Sequence, residues 1–526
     1  MQSVTPVVIN QFRGLMTSID PKHVPLQFTD DALNVYGDGS FVAHRPVMQI
    51  FPGNNVPLGG DIYDVVHGRM ALGGIALPDG LFFVYRVGTD AHAGFWPFTG
   101  GPPLALGLLR AADTLRQVHL EPADNTGIYA SNPTVGAPWK RIVPNATVPP
   151  YYSATVAGSN YGPPDATQSY RAIAWNRQTM FHADSTLLTN PDRFTWSGLG
   201  APATFAAADN SQINPRGILG RLRGIFPTGE MIYLLKTDGI WVLSGATSET
   251  FRLERVGWEF GAVGRRSFDL FSGLAIGFVG EELPSTLGDG NALRIQNAIA
   301  LKGLEAVPIA DEIRNILGTA LGVLGPEVRV KRWDSKRALI MADAVPFSAS
   351  VEHRLFYRDM LGPGWWPWTF QGAISPNCFE YINGEMVAGC MDGKLRRFVF
   401  NVSKDQIAFP APPGGNASVP AYWTSAWISY PGDPGRMFSI EYVRFHGTAG
   451  SVSPRYDFAY DFKPYLGGGT GIAPFSIPPS GVQHVAVSNG FSGYRFKLKV
   501  LWDDNDGTFR FSKIELGLRP TDQVES

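Results

Sequence analysis

Gly94-Phe95-Trp96-Pro97-Phe98-Thr99 and Gly364-Trp365-Trp366-Pro367-Trp368-Thr369 are two copies of one short pattern, and each follows an apolar strand, Leu81-Phe82-Phe83-Val84-Tyr85-Arg86 or Leu355-Phe356-Tyr357-Arg358. The pattern implies one unit used at least twice. The copies lie too far apart for a solenoid, whose repeats run about 20–50 residues, but they suit early and late members of a ring of degenerate blades. Between them, short apolar runs sit beside turn pairs that tolerate positive φ. Asp79-Gly80 precedes the first of these strands, Asp238-Gly239 separates Ile232-Tyr233-Leu234-Leu235 from Ile240-Trp241-Val242-Leu243, and Asp392-Gly393 follows Met386-Val387-Ala388. Arg171-Ala172-Ile173-Ala174-Trp175 leads in the same way to Met180-Phe181-His182. These runs predict the hairpins of a meander, and four-stranded blades of about 40–50 residues would place six or seven of them between residues 51 and 400.

Composition agrees with that reading. Sixty glycines and 41 prolines in 526 residues, with 12% aromatic and 17% charged side chains, would interrupt long helices too often, whereas turn-rich sheets need that punctuation. The predicted fold class is all-β: a β-propeller with an additional C-terminal antiparallel β domain. One helix is predicted over 311–321, where Ile313, Ile316, Leu317 and Ala320 share a face and Asp311 can cap the first turn. The Pro-, Tyr- and Gly-rich stretch 144–164 reads as a surface insertion.

The predicted domains are an N-terminal arm with the first strands over 1–50, the propeller over 51–400, a linker over 401–419, and a sandwich-like domain over 420–526. The linker is placed by Phe409-Pro410-Ala411-Pro412-Pro413-Gly414-Gly415, which cannot pair inside a sheet. In the last domain Tyr494, Phe496, Leu498, Val500 and Trp502 alternate with Arg495, Lys497, Lys499, Leu501 and Asp503, as in a strand with one buried face. Phe509 and Phe511 share one parity while Ile514, Leu516 and Leu518 share the other, so a bulge is predicted near Ser512-Lys513.

The chain carries 44 Lys and Arg against 46 Asp and Glu, a formal net charge of -2, without the basic excess of a dedicated nucleic-acid binder. It has no apolar run of about 18 residues and no basic, then apolar, opening, so neither a membrane span nor a secretory signal is expected. Cys378 and Cys390 flank the hairpin signal Asn383-Gly384; with those two residues as the loop, Cys378 falls opposite Gly389 and the two sulfurs face opposite sides of the sheet. Free buried thiols of a reducing compartment follow.

No phosphate loop, paired CxxC, HExxH or GxSxG is present, and the nine histidines are scattered. No catalytic, cofactor or metal site is predicted. Asp503 to Gly507 reads as a solvated hairpin turn, with a weak calcium loop as the alternative. Basic residues concentrate at Arg216, Arg221 and Arg223, at Arg265 and Arg266, and at Arg329, Lys331, Arg332, Lys336 and Arg337. The first five are candidates for facing DNA or a neighbouring subunit. The competing reading is solvated faces, subunit salt bridges, or stems lying on aromatics.

Several ordered motifs resemble the tail nozzle, or packaged-DNA stabilisation, proteins of short-tailed, podovirus-like bacteriophages. Phe12-Arg13-Gly14-Leu15, Pro25, Asp31-Ala32-Leu33-Asn34, Gly39-Ser40-Phe41 and Arg45-Pro46 are similar to their opening. Asp238-Gly239-Ile240-Trp241, Phe251, Val256, Gly261, Arg266-Ser267 and Pro308-Ile309 resemble their middle. Trp366 onward, with Cys378, Gly384, Gly389 and Asp392-Gly393, resembles their last blade. The resemblance implies a non-enzymatic virion protein: a homohexameric ring below the portal and adaptor, bearing tail fibres and assembled in the host bacterial cytoplasm. Such a ring would touch genomic double-stranded DNA in transit, gate its ejection, and make no stable membrane insertion. Two rivals stand beside it. A propeller glycan hydrolase or depolymerase needs converging carboxylates, and a receptor-binding tail component predicts a trimer with an exposed aromatic patch.

Overall fold

The computed structural model describes residues 4–51, 58–113, 117–123, 127–134, 137–156, 169–185, 191–202, 204–206, 210–213, 220–245, 247–257, 259–264, 266–283, 292–317, 321–322, 328–342, 353–360, 362, 364–370, 374–400, 404–406, 416–449, 454–461, 463–466, 473–475, 477, 481–487, 492–502 and 509–521. Seven antiparallel sheets follow one another along the chain as the blades of a β-propeller. Blade 1 runs outward through Ile62–Gly68, Gly80–Val87, Asp90–Pro97 and Leu104–Arg110, and blade 2 through Leu120–Ala123, Gly127–Ala130, Lys140–Pro144 and Tyr152–Val156. Blade 3 uses Tyr170–Asn176, Thr179–Ser185, Arg193–Trp196 and Asn210–Gln212, and blade 4 uses Leu222–Pro227, Ile232–Lys236, Gly239–Ser244 and Arg252–Arg255. Blade 5 is built on the long hairpin Leu274–Leu283 and Ala292–Lys302, with Gly261–Ala262 and Phe268–Phe271 on its inner side and Glu305–Pro308 on its outer side. Blade 6 comprises Arg329–Trp333, Ala338–Ala342, His353–Asp359 and Trp365–Phe370.

Blade 7 closes the ring. Its three inner strands, Pro376–Ile382, Glu385–Cys390 and Leu395–Val399, come late in the chain, but its outermost strand is Val47–Ile50, paired antiparallel so that Val47 meets Val399 and Ile50 meets Arg396. The inner strand of blade 7 then packs on that of blade 1: Asn377 Nδ2 donates to the Ile62 carbonyl at 3.1 Å, and Cys378 is buried with Ile62, Val65 and Leu81. Asn383-Gly384 is a two-residue loop with both φ angles positive, which sets Cys378 opposite Gly389. Cys378 therefore faces blade 1 while Cys390 joins the core on the other side, and both thiols are free and buried.

The two Trp-Pro copies do not occupy equivalent places. Gly94 to Pro97 lies in the third strand of blade 1, and Trp365–Phe370 is the fourth strand of blade 6. Proline fits the second site because of strand polarity. The Pro367 carbonyl points outward, accepting the Asn34 N–H at 2.9 Å, so its missing N–H also lies on the outward side and removes no bond from the ladder with His353–Asp359.

Most of the remaining strands form a sandwich of two sheets. One places Val35–Tyr36, Val42–His44, Phe509–Pro520, Phe438–Ala449 and Val482–Ala486 in order, with Thr5–Ile9 also on Phe509–Pro520. The other places Ala32–Leu33, Ala421–Thr424, Arg495–Trp502, Arg455–Tyr460 and Ala473–Pro474. Residues 1–50 are thus divided, their early strands completing the sandwich and Val47–Ile50 completing the propeller. A bulge lies at Ser512, since His446 pairs with Lys513 and Gly447 with Phe511. It switches the inward parity from Phe509 and Phe511 to Ile514, Leu516 and Leu518.

Three local expectations are corrected. The helix predicted over 311–321 is a single 3-10 turn, Asp311–Ile313, followed by Arg314–Leu317, because Leu321–Gly322 pairs instead with Ala292–Lys302. Asp311 does not cap it; its carboxylate accepts from Asn297 Nδ2 at 2.7 Å. Tyr152–Val156, inside the predicted insertion, is the outer strand of blade 2. Within the predicted linker, Lys404–Gln406 pairs with Asn416–Ser418, while the Pro-rich stretch 409–415, like 503–507, lies outside the described residues.

Candidate functional site

The inner strands of all seven blades converge on one cavity of about 200 Å³ at the ring axis. Blade 1 contributes Asp64 to it, blade 2 His119 and Glu121, blade 5 Arg266 and Asp269, blade 6 Arg329 and Lys331, and blade 7 Glu380; blades 3 and 4 contribute Ala172, Ile173 and Ala174, and Ile225, Phe226 and Pro227. Charge of both signs is therefore concentrated where a propeller has least room.

Asp64, whose side chain is 2% exposed, is the hub. Its Oδ2 accepts the Leu120 N–H at 2.7 Å and Arg266 Nη2 at 3.4 Å, its Oδ1 accepts Arg329 Nη1 at 3.3 Å, and His119 Nδ1 lies 3.8 Å away. One carboxylate so joins blades 1, 2, 5 and 6. Burial pushes its pKa up, but the Arg266 guanidinium, the His119 ring and Arg329 together hold it well below the usual carboxylate range. Arg329 is further fixed by donating Nη2 to the Tyr63 carbonyl at 2.5 Å, and Arg266 Nη2 donates to the Leu120 carbonyl at 2.7 Å.

The polar chain continues around the axis. Lys331 Nζ meets Glu380 at 3.0 Å, tying blade 6 to blade 7, and Asp269 Oδ2 accepts the Arg332 N–H at 2.8 Å, tying blade 5 to blade 6. Glu121 Oε1 accepts the Trp175 N–H at 3.0 Å, tying blade 2 to blade 3. Burial raises the Glu121 carboxyl to about 7, against the pull of Arg266 and the Trp175 N–H. The cavity is smaller than the roughly 300–1,000 Å³ of ordinary small-molecule clefts, and most of its charges are already bonded across blades. The contacts these groups make are braces from one blade to another. Among the described residues no group of three His, Cys, Asp or Glu side chains could hold a metal ion.

The five basic residues singled out in the sequence do not assemble into one patch. Arg216 and Arg265 lie outside the described residues. Arg223 is buried on the inner strand of blade 4, Arg221 precedes that strand with its N–H on Thr237 Oγ1 at 2.9 Å, and Arg266 is bound inside the channel. Arg223 and Arg266 are thus withdrawn from any duplex outside the ring. The cluster at 329–337 is split by local geometry: Arg329 and Lys331 face the axis, while Lys336 lies 3.9 Å above the Phe400 ring. Asp64 and Glu121 carried no sequence signal, because their partners come from other blades.

His182, likewise scattered in the sequence, is fully buried between Trp139 and Phe205, with ring centroids at 4.5 and 4.4 Å. Burial lowers its pKa from 6.5 to about 3. The unfolded chain therefore binds the extra proton between those values, so stability falls as pH drops from about 6.5 towards 3 and is unaffected above that window. His182→Phe, which keeps a flat ring in the stack, should remove that acid-side loss, on the order of a few kcal/mol by pH 4. Urea midpoints of the two proteins at pH 4 and pH 8 test this, and parallel pH profiles would refute it.

No protein-family model and no curated protein sequence matches the chain. Among solved structures, it is similar to BamB from Moraxella catarrhalis at 11% identity and a TM-score of 0.34, over 68% of this chain and 98% of that one. It is also similar to YCF48 from Cyanidioschyzon merolae at 10% identity and a TM-score of 0.38, over 67% of this chain and 99% of that one. The propeller itself is established by the seven sheets and their common axis.

Proposed function

We propose that this chain is a structural virion protein, a subunit of the tail nozzle of a short-tailed bacteriophage, and not an enzyme. The observation that carries the reading is where the nozzle-like motifs meet. The Leu15 N–H bonds the Trp365 carbonyl at 2.9 Å, and Gly14, with φ +85, passes so close to blade 6 that an added Cβ would lie 2.6 Å from the Gly364 Cα. Asn34 bonds Thr369, Arg45 bonds Asn34 and the Thr369 carbonyl, and Trp368 Nε1 donates to the Val35 carbonyl at 2.8 Å. The opening motif and the late Trp-Pro motif are therefore one joint, which seats the sandwich on blades 6 and 7 through a shared hydrophobic core.

The propeller axis cannot be the DNA path in this reading. A cavity of about 200 Å³ crossed by ion pairs is far too small for a duplex whose major groove alone is about 12 Å wide. The exit channel would lie between subunits of a homohexamer, bounded by their outer faces, with loops of the propeller or the sandwich forming the gate. The portal and adaptor would sit above and the tail fibres beside it. No helix among the described residues is long and apolar enough to cross a membrane.

Electron microscopy of the purified protein tests the proposal. A sixfold ring whose central hole is flanked by propellers is the expected result; a monomer that cleaves bacterial surface glycan would overturn it in favour of a propeller hydrolase. A trimer docked through an aromatic patch would favour the receptor-binding alternative.

A further inference from the structure

We propose that Arg266 is a cross-tie whose partner is set by the protonation of Glu121: it braces Asp64 and the Leu120 carbonyl when Glu121 is neutral, and moves onto Glu121 when Glu121 is ionised, slackening the bond between blades 1 and 5. The inference concerns the ring of this one chain and does not depend on the virion reading.

The first support is position. Arg266 Nη2 already sits 2.7 Å from the carbonyl of Leu120, the residue next to Glu121. Arg266 and Glu121 line the same cavity. Of the three side chains that meet Asp64, Arg266 is the most open, at 32% exposure against 8% for Arg329 and 3% for His119. Arg266 and Arg329 each hold Asp64 and one backbone carbonyl, that of Leu120 and that of Tyr63, so exposure is what distinguishes Arg266. Arg266 is also the foremost cation acting on the Glu121 carboxyl.

The second support is charge balance at the axis. Asp64 faces Glu121 from blade 1, His119 from blade 2, Arg266 and Asp269 from blade 5, Arg329 and Lys331 from blade 6, and Glu380 from blade 7, while the linings from blades 3 and 4 are apolar. With Glu121 neutral, the carboxylates of Asp64, Asp269 and Glu380 are matched by the cations of Arg266, Arg329 and Lys331. Ionising Glu121 adds a charge with no match. Among the described residues Glu121 has no ion-pair partner, only the Trp175 N–H, and Lys331 is already held by Glu380. Arg266 is left to answer it, at the expense of Asp64.

The direction with pH follows from burial, the largest influence on Glu121, which raises its carboxyl from 4.5 to about 7. Its folded value lies above its unfolded one, so the contribution of the neutral carboxyl is complete below about pH 4.5 and is lost as pH rises through 7. Asp64, held low, stays ionised throughout that window.

The test is a pair of double-mutant cycles by urea unfolding at pH 5.5 and pH 8.5, combining Glu121→Gln with Arg266→Met and Asp64→Asn with Arg266→Met. The expected coupling between positions 121 and 266 is absent at pH 5.5 and at least about tenfold in the unfolding constant at pH 8.5, while the 64–266 coupling falls over the same interval. Equal 121–266 coupling at both pH values, or a 64–266 coupling that does not fall, would overturn the proposal. Should Arg266→Met fail to fold, amide exchange of the 120–123 strand decides. Wild type should lose about tenfold protection, corrected for intrinsic rates, between pH 5.5 and 8.5, and Glu121→Gln should lose none; identical behaviour of the two proteins refutes the exchange.

Discussion

Asn34→Ala will destabilise the protein by about 3–5 kcal/mol and will free the first strands to proteolysis. Asn34 is buried, and its Oδ1 accepts the Thr369 N–H at 2.8 Å and Arg45 Nε at 3.1 Å, while its Nδ2 donates to Thr369 Oγ1 at 3.1 Å and the Pro420 carbonyl at 2.8 Å. Alanine leaves the Thr369 N–H and hydroxyl and the Arg45 Nε buried without this partner, and unmet buried groups cost about 1–3 kcal/mol each. It would also have to adopt φ +55, a left-handed conformation that asparagine tolerates better. Arg45, stacked 4.1 Å over Phe370, belongs to the same network, so Arg45→Ala should cost a similar amount and the double variant less than the sum. Urea unfolding followed by tryptophan fluorescence, with trypsin cleavage before residue 47 as the second readout, checks both. A midpoint equal to that of the wild type would mean that the joint is not where the two domains are coupled.

The second large effect is expected at Asp64. Asp64→Ala takes the carboxylate from Arg329, 8% exposed, and from Arg266, and removes the acceptor of the Leu120 N–H, so a loss of about 3–5 kcal/mol follows from breaking a buried ion pair. Asp64→Asn keeps an acceptor but not the charge and should lose about half as much. Because the folded carboxyl is held below its ordinary value, its contribution is complete above about pH 4 and is lost only in stronger acid. The difference between Asp64→Ala and wild type should therefore persist from pH 5 to pH 9, shrinking above about pH 7 only by the Arg266 bond that passes to Glu121. It should also be nearly unaffected by salt, since buried pairs are weakly screened. A deficit under 1 kcal/mol would show that the blades hold together without their hub.

The propeller was legible in the sequence because hairpins are local: Asn383-Gly384 and the aromatic runs around them specify their own pairing. The Trp-Pro repeat pointed to the ring although its two copies occupy the third strand of one blade and the fourth of another. What they share is a buried aromatic strand returning against its predecessor, a property of blades in general. The sandwich was half legible. The alternation over 495–502 and the parity switch at Ser512 were written locally, but Ala32–Leu33 is two residues long and finds its partner, Ala421–Thr424, only in three dimensions. The channel network was illegible for the same reason. Arg266 could be noticed as basic, yet its role depends on Asp64 and Leu120, which only ring closure brings across the axis.

That closure governs how the polypeptide can be made. Val47–Ile50 waits for Leu395–Val399, and Thr5–Ile9 waits for Phe509–Pro520. Closure cannot be completed as the chain emerges from the ribosome: these two segments remain unmated until the last strands are synthesised, a slow search between distant partners. A message cut short leaves both the ring and the sandwich without a closing partner, and the strand edges so exposed mark the fragment for aggregation or proteolysis.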